Sequence, residues 1–131
     1  MTPASSILDP ASHPDLYVSS VLTLYVDLPD TPVRASVLDQ HRARDWFTRG
    51  VPLSVAETAL LMATLRRFCR PADIPPLPRI RSLAYFQPVV DELLENPAPQ
   101  GYLQYLRMKL RTVTDKTEPN AVQKKPFSDD R

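Results

Sequence analysis

Apolar residues recur along this chain at intervals of three and four in several stretches, each closed by proline, glycine or a polar cluster. The first stretch holds Leu16, Val18, Val21, Leu22, Tyr25, Val26 and Leu28. It predicts a helix over residues 16–28, although its β-branched content leaves a strand open. Pro29-Asp30-Thr31-Pro32 ends it. Ser36 and Asp39 then have the spacing of a capping box, with Asp in place of the usual Glu or Gln. The helix they open is expected to run to Arg49, where Gly50 can take the left-handed conformation that closes a helix. Its expected apolar face is Leu38, Ala43, Trp46 and Phe47.

A third helix is predicted from Pro52-Leu53-Ser54 through Ala56, Ala59, Leu60, Met62, Ala63, Leu65 and Phe68 to about Cys69. Residues 71–78 hold four prolines, which predicts an extended, stiff connector. Leu83, Phe86, Val89, Val90, Leu93 and Leu94 then mark a fourth helix. Pro88 lies inside that pattern, so the helix either bends there or begins there, and a start at Ser82 with a bend is the reading preferred. A last helix is expected over residues 100–113, with Tyr102, Leu103, Leu106, Leu110 and Val113 on one face.

These segments predict an all-α fold, a small bundle of about five helices in a single domain over residues 16–113. Polar or proline-rich tails at 1–15 and 114–131 are expected to be disordered. Trp46, Phe47, Leu60, Phe86, Val90 and Leu106 are the expected core. The chain's 131 residues leave room for one modest core.

Composition narrows the chemistry. With 15 prolines and 2 glycines, neither a phosphate-cradling loop nor a dinucleotide fingerprint can be built, because both need closely spaced residues without a Cβ. The single cysteine, Cys69, excludes an internal disulfide and a multi-thiolate zinc site. No basic residue precedes Arg34 and no apolar run is long enough to span a bilayer, so neither a secretion signal nor a membrane span is expected, and a reducing, cytoplasmic setting is.

His41 and Asp45 can meet on one helix face, a pairing common on helix surfaces. Cys69 has arginine neighbours that favour a thiolate, but it falls near a helix C-terminus, whose dipole opposes one. Asp91, Glu92 and Glu95 fit a solvated acidic face at least as well as a cation site. No enzymatic activity, metal or cofactor is expected.

The net charge is only +1, yet residues 34–81 carry nine arginines against four acids, between acidic flanks. Arg66, Arg67, Arg70, Arg79 and Arg81 gather around the connector, followed by Tyr85 and Phe86. Guanidinium forks match phosphates and aromatic rings stack on unpaired bases, so Arg66, Arg67, Arg70, Arg79, Arg81 and Tyr85 are candidate nucleic-acid contacts. In the competing account these arginines cap helix carbonyls and pair with Asp73, Asp91 and Glu92, while Tyr85 and Phe86 join the core.

Arg49-Gly50-Val51-Pro52-Leu53-Ser54-Val55 opening one helix, and Ile80-Arg81-Ser82-Leu83-Ala84-Tyr85-Phe86 opening another, together resemble the layout of the DnaD-type domain of bacterial and phage replication-initiation proteins. The layout is also similar to that of small accessory proteins of bacterial mobile elements. The first resemblance implies an all-α fold, DNA binding and contact with a helicase-loading assembly. The sequence departs from that family in its proline connector, in Pro88 and in the helices flanking the matched region. Two functions follow as expectations: a non-enzymatic nucleic-acid-associated accessory protein acting through the arginine-rich middle, or a helical protein-interaction adaptor without nucleic-acid binding.

Overall fold

The computed structural model describes residues 9–69, 73–75 and 77–116. Over these the chain is helical: α1 (Pro14–Asp27), α2 (Val37–Thr48), α3 (Leu53–Phe68), a 3-10 turn (Leu83–Phe86), α4 (Gln87–Glu95) and α5 (Tyr102–Lys116), with no strand among the described residues. The expected all-α bundle is therefore present. The tail expectations at 1–8 and 117–131, and that for Arg70, lie outside the described residues.

Helix α1 begins two residues before the periodicity suggested, because Pro14 occupies the first turn, where its missing N–H costs nothing. Its buried stripe is Tyr17, Val21, Tyr25 and Leu28. After it, the Thr31 hydroxyl shares its proton between the carbonyls of Tyr25 (2.7 Å) and Leu28 (2.6 Å), terminating the helix from inside the protein. The turn places Asp30 in the left-handed region (φ 66°), and its carbonyl accepts the Ile80 N–H at 2.9 Å. The far side of the proline connector is thus fastened to the α1–α2 turn.

The capping box at α2 forms as the sequence suggests. The Ser36 hydroxyl accepts the Asp39 N–H at 3.1 Å, and the Asp39 carboxylate accepts the Ser36 N–H at 2.9 Å. Gly50 closes the helix at φ 83°. The inward face differs from expectation, for it consists of Asp39, Ala43 and Trp46, with Phe47 partly covered against Tyr17. Leu38 lies 75% exposed. Successive helix residues are about 100° apart, so once Asp39 turns inward its neighbour must turn out.

Helix α3 is the central column, in contact with α1, α4, α5 and the 3-10 turn. Its buried residues run round most of its circumference, and three of them, Ala56, Ala59 and Ala63, are small enough to let neighbouring helices approach closely. The buried Thr58 and Thr64 hydroxyls return to the carbonyls of Ser54 (2.6 Å) and Leu60 (2.8 Å), which satisfies them within the helix.

The segment around Pro88 is not one bent helix. A 3-10 turn hands over to α4, with Pro88 in the first turn of the new helix, where the ring is compatible with the backbone. Helix α5 starts later and ends later than expected, at Tyr102 and Lys116. Of the expected core, Trp46, Leu60, Phe86, Val90 and Leu106 are buried, and Phe47 is half-buried at its edge. The Trp46 indole N–H donates to the Gln87 side-chain carbonyl at 2.8 Å, so the largest core residue also satisfies its one polar atom.

Candidate docking surface

The arginines that stood out in the sequence separate into different roles. Arg66, near the end of α3, grips Glu92 of α4 with both arms of its fork, at 3.1 and 2.7 Å. That bond holds the Glu92 carboxyl below its ordinary range. Arg67 points the other way, with only 9% of its side chain exposed. It donates to the Pro78 carbonyl (2.9 Å), the Asp30 carboxylate (3.2 Å) and the Tyr85 hydroxyl (3.2 Å). Its guanidinium also lies 5.5 Å from the Tyr85 ring centroid, a cation–π contact. Arg67 therefore clamps α3 to the α1–α2 turn and the connector. Tyr85 is 40% exposed, with its ring edge-on to the buried Phe86.

Arg79 and Arg81 are different. Both are exposed, and among the described residues neither has an ion-pair partner. They flank Ile80, which anchors their segment to Asp30. The structure thus brings Arg67 and Tyr85 together, directs Arg66 toward α4, and leaves Arg79 and Arg81 open to solvent.

Asp39 supplies a link that its capping role did not reveal. Its second carboxylate oxygen accepts the Leu83 N–H at 2.9 Å, across 44 positions of sequence, while the residue itself is only 2% exposed. Arg42 and Trp46, from the same helix, both donate to Gln87. Helix α2 is in this way tied by polar bonds to the start and end of the 3-10 turn. An open groove of about 440 Å³ runs along the junction, lined by residues that include Leu38, His41, Arg42, Arg49, Ser82 and Ala84.

No family model, curated protein or solved structure matches this chain. Its surface chemistry is therefore the ground for a functional reading. Among the described residues no helix is long and apolar enough to cross a membrane. The His41–Asp45 pairing does not form, since Asp45 bonds Arg49 instead (3.0 Å), and Cys69 is exposed just beyond α3.

Three exposed aliphatic residues at the entrance to α2 lie outside what the periodicity placed, and on α5 Tyr105 and Met108 are comparably exposed. Val33, Val37 and Leu38 are 52%, 63% and 75% exposed, within six consecutive positions at the entrance to α2. The signal that would have found them is the inner triad Asp39, Ala43 and Trp46 at spacings of four and three, which excludes Leu38 once Asp39 is allowed inside. Arg34, between Val33 and Val37 in sequence, is exposed and likewise has no ion-pair partner among the described residues.

Proposed function

We propose that this protein is a non-enzymatic adaptor of the cytoplasm that docks onto another protein through the entrance of α2. The observation that carries this reading is the concentration of Val33, Val37 and Leu38 in solvent at one edge of a well-packed bundle. Single exposed apolar side chains are ordinary, but three exposed aliphatic residues within six positions, one of them lining a groove, favour a protein contact. Aliphatic side chains offer no stacking surface to bases, which favours a protein over a nucleic acid here.

Proximity labelling with the wild type and with Leu38→Asp tests it. Neighbours labelled by the wild type are expected to be lost from the folded variant, and an unchanged set would overturn the reading.

The second reading is nucleic-acid association in replication or in a mobile element, as the layout shared with DnaD-type domains implies. It is favoured by Arg79 and Arg81, which are exposed with no ion-pair partner among the described residues, and by the half-open Tyr85 ring. Two phosphate contacts would give a log-log salt slope of about -2 on duplex DNA. Salt-sensitive retention on DNA or RNA, abolished by Arg79→Ala with Arg81→Ala, would put this reading first.

A further inference from the structure

We propose that the proline connector between α3 and the 3-10 turn is a docking strap, taken up by a partner protein through a groove lined with aromatic side chains. The segment reads Ile74-Pro75-Pro76-Leu77-Pro78-Arg79. Ile74 and Leu77 are 41% and 37% exposed, and Pro75, Pro78 and Arg79 are exposed as well. Proline fixes its own φ at about -65° and holds the residue before it extended, which applies here to Ile74 and Leu77. Pro75 and residues 77–81 accordingly form no helix, strand or turn.

An extended proline segment repeats every three residues. Pro75 is three positions from Pro78, and Ile74 three from Leu77, the spacing that sets apolar side chains in register for a groove of parallel aromatic rings. Prolines lack an N–H, so the strap offers carbonyl acceptors, which the indole N–H and phenol O–H groups of such a groove can meet. The far end is already held in place. Arg67 donates to the Pro78 carbonyl at 2.9 Å, the Ile80 N–H donates to the Asp30 carbonyl at 2.9 Å, and the Ile80 side chain is buried. A partner therefore meets a segment whose ordering cost has in part been met by folding. Proline and aliphatic side chains give bases no stacking surface, and Arg79 alone would reach a phosphate, so a protein is favoured over a nucleic acid. The inference goes beyond the α2 reading and does not depend on it.

Titrating the full chain into a panel of purified WW and SH3 domains, whose grooves carry such rings, tests this by isothermal calorimetry. At least one domain is expected to bind, and replacing a tryptophan of its groove by alanine should abolish binding. Leu77→Asp and Pro75→Ala should each bind that domain roughly tenfold more weakly. Both positions are exposed, so circular dichroism is expected to stay that of the wild type. Leu38→Asp should bind as the wild type does, which separates failure of the α2 reading from failure of this one. Domains that bind a synthetic 73–81 peptide but not the full chain would show the strap closed off by the bundle and would overturn the inference. Binding by no domain, or binding indifferent to Leu77 and Pro75, would overturn it too, even if the chain then retained DNA through Arg79.

Discussion

Replacing Asp39 tests whether the polar bonds that tie α2 to the 3-10 turn contribute to stability as their geometry implies. In Asp39→Ala the Leu83 N–H loses its acceptor at a site where Leu83 is fully buried. A buried donor left without a partner costs about 1–3 kcal/mol. The Ser36 N–H loses its partner in the capping box at the same time, worth about 1 kcal/mol more. The expected loss is thus about 2–4 kcal/mol, a large share of the 5–15 kcal/mol typical of a folded domain. Asp39→Asn keeps the volume but presents an amide N–H₂ to one of the two donors, so about half the loss is expected. Ser36→Ala removes only the hydroxyl side of the box and should cost about 1 kcal/mol. Urea unfolding followed by the fluorescence of Trp46, the sole tryptophan and fully buried, measures all three. If Asp39→Ala costs no more than Ser36→Ala, the bond to Leu83 contributes nothing and the reasoning fails.

Other expectations follow from groups whose surroundings are unfavourable. The buried Tyr25 hydroxyl has no hydrogen-bond partner among the described residues, and burial, then the charge of Asp39, push its pKa up so that it stays neutral. Tyr25→Phe should be neutral or stabilising by up to about 1–2 kcal/mol, and a clear loss of stability in urea would reveal a partner. Burial likewise raises the Glu57 carboxyl above its ordinary 4.5, against the opposing pull of Arg107. A raised folded value favours the protonated form, so its contribution to stability is full below about 4.5 and is lost as pH rises through the folded value. Glu57→Gln should therefore match or exceed the wild type near neutral pH and lose that advantage in acid. A variant that is weaker near neutral pH would mean that the Arg107 pair outweighs the cost of burial.

The helices were legible because their signals are local. The Ser36 and Asp39 spacing announced the start of α2, Gly50 its end, and Pro88 a break that proved to be the start of α4. What escaped the sequence depends on contacts between distant positions. Nothing near Asp39 indicates that its second oxygen will accept the Leu83 N–H, and that bond turns a polar residue inward and an apolar one, Leu38, outward. The different partners of the arginines were hidden from the sequence for the same reason. Chain proximity placed Arg66 and Arg67 together, but a helix directs adjacent side chains about 100° apart, and their partners, Glu92 on one side and Asp30 with Pro78 on the other, lie on different elements.

The small residues of α3 bear on how this protein can change over time. At Ala56, Ala59 and Ala63 a larger side chain would force the surrounding helices apart, and overpacking of that kind typically destabilises by about 1–3 kcal/mol. Drift along the central column is therefore confined to small side chains, while the outer face of α2 can be rewritten with little effect on folding. Descendants of this chain would keep a short, compositionally plain signature of alanines and diverge fastest on the exposed face of α2. Kinship within such a lineage would outlast any resemblance in what its members bind.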